Sequence, residues 1–321
     1  MGKVVSIDHL VFGVKDLEAI FAILGTLLDV RHLLTLRISK CSVYMFQFGD
    51  KLPLVGFGSE PVGGNGFMSP FLNEKGEGLH HMGLQVNNLA SFKENLIKND
   101  IPFQPWEPEG SNIKKEVLAI DTEYWPTVLH IMDRERTLPM TPREWLDREK
   151  TYGVNTEKAI SYQRSKRKTP SILRVDHIAF AVKDLKRTIR FVEDVLGGRY
   201  LFEFSLSKTI TVAFVQLGET IVSLECESMD GDGFVAKFLQ KKGEGLHHIG
   251  LQVDDIDSFK EIMTANGIPV PPWDLEGDET QREEVLIGTK YFSTVLQIVD
   301  WKGNPPTTPQ EWVDREKEFL E

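Results

Sequence analysis

The first half of this 321-residue chain is written out again in the second half, motif by motif and in the same order, so one fold must satisfy both copies. SIDHLVFGVKDLEAI returns as RVDHIAFAVKDLKRT, KGEGLHHMGLQVNNLASFKENL as KGEGLHHIGLQVDDIDSFKEIM, PTVLHIMD as STVLQIVD, and TPREWLDREK as TPQEWVDREK. Spacing is kept as well as order. His9 and His81 stand 72 residues apart and His177 and His248 stand 71 apart, while His81 to His130 and His248 to Gln297 are both 49. Whole domains were therefore duplicated. The first is expected at 1–150 and the second at 171–321, joined by a polar, non-periodic linker over 151–170.

A weaker repeat lies inside each copy. In the first, the strand pattern DHLVFGV leads into a helical DLEAIFAILGTLL, and HHMGLQV leads into NLASFKENLIKN. Each pair is followed by β-rich segments such as CSVYMFQFG and PTVLHIMD. The chain therefore reads as α+β, with two βαβββ halves per domain and four modules in all. Thr141-Pro142-Arg143-Glu144 and Thr308-Pro309-Gln310-Glu311 are capping boxes with proline at the first helical position. The helices they start should dock Trp145 and Trp312 on the sheets.

Residues two apart on a strand share a face, which lets the histidines be placed. In DHLVFGV, Leu10, Phe12 and Val14 make one bulky face and His9, Val11 and Gly13 the other; Ile178, Phe180 and Val182 stand likewise opposite His177, Ala179 and Ala181. Met82, Leu84 and Val86 oppose His81, Gly83 and Gln85, with His248, Gly250 and Gln252 matching, and His80 and His247 fall on the packed face. Leu129 and Ile131 pack opposite His130, whose counterpart is Gln297. Three strands thus offer one metal-competent side chain each to a shared surface lined by small residues.

Neutral imidazole is the commonest protein metal ligand, and a catalytic divalent site keeps open positions beside about three protein ligands. His9, His81 and His130 are the expected metal ligands. His177, His248 and Gln297 form a weaker second set, since glutamine is a poor neutral ligand, so the competent site is expected in the first domain. Gln85 and Gln252 share the histidine faces, and Trp106 and Trp273 recur in FQPWEPEG and VPPWDLEG. All four are candidates to line a substrate pocket.

Composition narrows the partners. A formal charge of −11 opposes nucleic-acid binding, which runs on clustered Lys and Arg; the basic run Arg164, Lys166, Arg167 and Lys168 reads as a solvated linker face. Two cysteines, Cys41 and Cys226, at non-corresponding positions indicate neither a disulfide framework nor a paired-thiol site. Neither a signal-peptide core nor a stretch of roughly 18 apolar residues occurs. The expectation is a soluble, cytoplasmic protein with a small-molecule substrate and neither nucleic acid nor membrane as partner; a homodimer stays open.

At the histidine motifs the sequence resembles the vicinal oxygen chelate superfamily, which includes glyoxalase I, methylmalonyl-CoA epimerase, extradiol dioxygenases and 4-hydroxyphenylpyruvate dioxygenase. KGEGLHHIGLQVDDI with VDHIAFAVKDL upstream looks particularly like the epimerases. The resemblance implies tandem domains whose modules form two cupped mixed sheets with helices outside, each cup chelating adjacent substrate oxygens on a divalent metal. Carried over by position, the first-strand ligand falls on His9 and His177, the fifth-strand ligand on His81 and His248, and the last-strand glutamate on His130 and Gln297. The fourth-strand ligand falls near Leu54 and Ser223 and is missing from both domains. The epimerase base, a third-strand carboxylate, falls on Val43 and Val212.

Three functions follow. An oxygenase resembling the two-domain dioxygenases suits the architecture and a three-ligand site, with Fe(II) favoured and Mn, Co, Zn or Ni as alternatives. An isomerase, epimerase or lyase would stabilise an enolate on the metal and take its base from Glu203, Glu225, Glu107 or Glu109, each of which reads more simply as a surface carboxylate. A binding protein would hold an apolar ligand without turnover.

Overall fold

The computed structural model describes residues 2–26, 28, 30–38, 41–49, 51, 53–60, 64, 66–106, 117–121, 123–133, 156–157, 170–272, 282–290, 292–301, 306 and 308–320. The first domain runs β1 (Val4–Gly13), α1 (Leu17–Thr26), β2 (Arg31–Ile38), β3 (Cys41–Gln47), β4 (Leu54–Ser59), α2 (Met68–Glu74), β5 (Gly78–Val86), α3 (Leu89–Lys98), β6 (Gln104–Pro105), β7 (Val117–Ile120) and β8 (Val128–Asp133). After β9 (Thr156–Glu157), the second runs β10 (Ile172–Ala181), α4 (Leu185–Arg190, continuing as a π-helical turn Phe191–Leu196), β11 (Arg199–Ser205), β12 (Ile210–Leu217), β13 (Thr220–Glu227), α5 (Phe234–Lys242), β14 (Gly245–Val253), α6 (Ile256–Ala265), β15 (Arg282–Ile287), β16 (Val295–Trp301) and α7 (Pro309–Leu320). Asparagine and aspartate start the helices after the long strands: Asn88, Asp184 and Asp255 each accept from a backbone N–H three residues on, at 2.8 to 2.9 Å. Thr308 Oγ1 likewise accepts from Glu311 N at 3.2 Å, starting α7 as its capping sequence requires.

The βαβββ modules build two mixed sheets, ordered β6-β7-β8-β5-β1-β4-β3-β2-β9 and β11-β12-β13-β10-β14-β16-β15. In each, the two modules meet at an antiparallel central pair, β1 with β5 and β10 with β14, flanked by parallel neighbours. Two details depart from the sequence reading. Among the described residues, the last module of the second sheet has two strands after its helix, β15 and β16, and an isolated bridge, Pro272 to Val285, where three strands were expected. The stretch read as linker contributes β9, which pairs Thr156 and Glu157 with Leu36 and Thr35 at the sheet edge. Among the described residues no helix is long and apolar enough to cross a membrane.

The bulky faces predicted from alternation all enter one core: Leu10, Phe12, Val14, Met82, Leu84, Val86, Leu129 and Ile131 join Ile178, Phe180 and Val182. The two domains share it by exchanging aromatic wedges. Trp125, in the loop before β8, lies 5.2 Å from Phe180 of the second domain, and its counterpart Phe292 lies 5.2 Å from Phe57 and 6.4 Å from Phe12 of the first. The turns at Gly49 and Gly218 are exchanged in the same way. Both have positive φ (+78° and +62°), and a Cβ on either would overlap the backbone carbonyl of Leu173 or Val5 in the opposite domain.

Candidate metal centres

Because β1, β5 and β8 are neighbours, His9, His81 and His130 reach one concave surface. Gly83 pairs with His9 on one side and with His130 on the other. The His9 ring lies directly over Gly83, where any Cβ would meet its Cε1, Nδ1 and Nε2. Ring centroids stand 5.4 Å apart for His9 and His81, and 4.0 Å apart for His81 and His130, which stack. Trp106 adds a fourth ring, 4.5 Å from His130. Asp8, fully buried, sits 2.7 Å from His9 Nδ1 and accepts from Gln85 Nε2. A carboxylate on Nδ1 fixes the tautomer and leaves Nε2 as the ligand nitrogen. The remaining wall is apolar, with Val11, Val43, Met45, Leu54, Met68 and Leu72 buried together.

The second cup repeats this plan with tighter convergence. His177 lies over Gly250, and its Nδ1 is 3.0 Å from Asp176, which also accepts from Arg174 (3.2 Å), Trp301 Nε1 (3.1 Å) and Trp312 Nε1 (3.2 Å). His177 Nε2 and His248 Nε2 are 3.0 Å apart. Two nitrogens at about 2.1 Å from one metal and 90° apart stand about 3.0 Å from each other. Gln297 pairs with Gly250 beneath the His177 ring and donates Nε2 to Glu284, while its buried Oε1 has no hydrogen-bond partner. Helix α7 covers this face, with Trp312 4.6 Å from Phe214 and 6.4 Å from His177.

Strict alternation misplaces His80 and His247. The β1–β5 register runs from Val11↔His81 to Phe12↔Leu79, and β10–β14 from Ala179↔His248 to Phe180↔Leu246, so each is the extra residue of a β-bulge. The bulge turns both to the concave side. His80 packs on Phe67 and Phe71, and His247 on Phe234 and Phe238. Each also meets its neighbour, with Nδ1 atoms 2.8 Å apart for His80 and His81 and 3.0 Å apart for His247 and His248.

Glu225 needs a second correction. It is 4% exposed rather than a surface carboxylate, and it shares the β13 face of Ser223, two residues beyond the position where the fourth-strand ligand was judged missing. Glu225, His247 and His248 form a set of three metal-type side chains whose ligand atoms all lie within 4.8 Å of one another. Glu203 is exposed, in keeping with the surface reading. Gln85 orients Asp8 through its amide nitrogen and Gln252 is buried. Trp273, Trp145, Glu107 and Glu109 lie outside the described residues. The buried aspartates were legible in hindsight, since both copies carry the dipeptide Asp-His at the first ligand position.

Burial, then the neighbouring His130, His80 and His9, holds His81 well below the ordinary histidine range, and burial lowers His80 to about 4. Both are neutral at pH 7, the form a metal requires. In the unfolded chain they would titrate near 6.5. Between about 6.5 and 4 the unfolded state therefore binds protons that the native state refuses, so stability is full above this window and falls on acidification. Urea midpoints of the metal-free protein should drop across it, and a His80→Gln chain should drop less. Equal profiles for the two would refute this assignment.

A family model described as Glyoxalase/Bleomycin resistance protein/Dioxygenase superfamily matches residues 8–114 and again 176–282. The chain is 42% identical over 77 residues to YqjC of Bacillus subtilis, covering 24% of this chain and 54% of that one. It is 37% identical over 87 residues to human mitochondrial methylmalonyl-CoA epimerase, covering 26% and 49%. It thus spans about half the length of the curated relatives it matches. A variant of 4-hydroxymandelate synthase from Streptomyces coelicolor superposes with a TM-score of 0.67 at 12% identity, covering 98% of this chain and 99% of that one, a likeness of fold. Two matches that together span more than half of the sequence place this chain in the glyoxalase/bleomycin resistance protein/dioxygenase superfamily, as a tandem pair of its domains.

Proposed function

We propose that this protein is a divalent-metal enzyme of the oxygenase type, which chelates a small oxygen-bearing substrate in the first domain's cup. His9, His81 and His130 would hold the metal there, and His177, His248 and Gln297 in the second domain. Parts of both donor sets suit such an ion: His81 is held neutral, carboxylates back His9 and His177, the Nε2 atoms of His177 and His248 stand 3.0 Å apart, and Gln297 Oε1 is buried without a partner. When bound, the ion supplies Lewis acidity toward adjacent substrate oxygens and, as Fe(II), reactivity toward O₂.

The observation that carries oxygenation over isomerisation is the state of the carboxylates. Among the described residues, those buried in the first domain are Asp8 and Glu60. Asp8 is occupied by His9 and Gln85, and Glu60 accepts from Met68 N, Ser69 N and Ser69 Oγ at the start of α2. Val43, where the epimerases it resembles carry their base, is buried in an apolar wall. Among the described residues, the wall beside Trp106 is aliphatic and aromatic, with His80 as a weakly basic imidazole and no carboxylate placed as a base. Isomerisation is the second reading, favoured by the 37% identity to the human epimerase. Fe(II)-loaded protein should consume O₂ with a member of a panel of 2-oxo acids and catechols. Deuterium uptake from D₂O into a 2-methylacyl thioester without O₂ consumption would reverse the order of the two readings.

A further inference from the structure

We propose a second kind of metal site in the second domain, formed by Glu225, His247 and the Nδ1 side of His248, which takes one borderline divalent cation such as Zn²⁺, Co²⁺ or Ni²⁺. It is separate from the His177, His248 and Gln297 set, because the two use opposite edges of the His248 ring. Nε2 of His248 faces His177 Nε2 at 3.0 Å, whereas Nδ1 faces His247 Nδ1 at 3.0 Å and Glu225 Oε1 at 3.7 Å. Glu225 Oε2 closes the triangle, 2.9 Å from His247 Nδ1.

These separations suit a cation at the centre. With metal–ligand distances of about 2.1 Å, neighbouring ligands stand about 3.0 Å apart in an octahedral site and about 3.4 Å apart in a tetrahedral one. The set is also dry, with Glu225, His247 and His248 at 4%, 8% and 6% exposure and Phe234 and Phe238 packed on the His247 ring at 5.3 and 5.2 Å. Glu225 Oε2 makes no hydrogen bond in spite of its closeness to His247. A buried carboxylate oxygen without a hydrogen bond is costly unless a cation compensates it. Two imidazole nitrogens and one carboxylate select Zn²⁺, Co²⁺, Ni²⁺ or Fe²⁺ over the oxygen-seeking Mg²⁺ and Ca²⁺.

The first domain provides an internal control. It keeps the paired Nδ1 atoms, at 2.8 Å in His80 and His81, but the register position of Glu225 opposite Ala181 is held there by Gly58 opposite Gly13. One substitution between the copies thus separates an imidazole pair from a complete two-histidine, one-carboxylate set.

Metal-free full-length protein titrated with Co²⁺, followed by visible absorption and by metal content after desalting, tests the proposal. Glu225→Gln should lose one equivalent of Co²⁺ and its absorption band, and His247→Gln should lose the same equivalent, with circular dichroism establishing that each is folded. His177→Ala should retain the Glu225-dependent equivalent. An unchanged Co²⁺ count in folded Glu225→Gln and His247→Gln would overturn the site and leave the cluster as a buried ion pair. The count in His177→Ala separately tests the Nε2 set, so either assignment can fail without the other.

Discussion

A His81→Ala chain should lose the first domain's metal while the second domain keeps its own. His81 is the central member of its set, 5.4 Å from His9 and stacked at 4.0 Å on His130, whereas the adjacent donor His80 packs on Phe67 and Phe71. If protein metal sites gather about 10–16 kcal/mol from roughly four ligands, one ligand is worth about 3 kcal/mol, or roughly two orders of magnitude in affinity. Gly83→Ala should come close to this while keeping every histidine, because the added methyl group would occupy the space of the His9 ring. Competition titrations against a chromophoric chelator would measure both. Retention of wild-type affinity by His81→Ala would show that the metal is held elsewhere; retention by Gly83→Ala alone would show that His9 is dispensable.

The glycine explains how the shared face of these histidines could be read from sequence. Period-two alternation puts His9 and Gly83 on one face, and a ring lying flat over a sheet needs a neighbour without a side chain. The same alternation correctly sent Leu10, Phe12, Met82 and Leu84 to the core. It failed at His80 and His247 because a bulge breaks the period, and nothing in the paired histidines distinguishes a bulged strand from a regular one. Glu225, a candidate base by sequence, could not be placed beside the histidines for a related reason. Its role depends on the parallel register of β10 with β13, a long-range pairing that composition around LECES does not encode. The partners of Asp176 include Trp301 and Trp312, more than a hundred residues away, and only the docked helix α7 brings the latter to it.

Replacing Phe292 with alanine should destabilise the first domain although the residue belongs to the second. Its ring is 1% exposed and packs against Phe48, Phe57 and Phe12 across the domain boundary. Truncating a buried phenylalanine costs about 3–5 kcal/mol, a large share of the roughly 5–15 kcal/mol that holds a typical domain. The loss should also reach the metal site, because Phe12 anchors the packed face of β1 and His9 projects from its other face. Trp125 makes the reciprocal contact with Phe180, three residues beyond His177 on β10. Each of the strands β1 and β10, which carry His9 and His177, is thus braced by an aromatic side chain from the opposite copy, so the domains should unfold together. Urea denaturation of Co²⁺-loaded protein can follow this through the first domain's visible absorption and through tryptophan fluorescence. The two probes should move to lower urea together in Phe292→Ala; a shift in fluorescence with the first domain's cobalt band unmoved would mean that the two cups are mechanically independent.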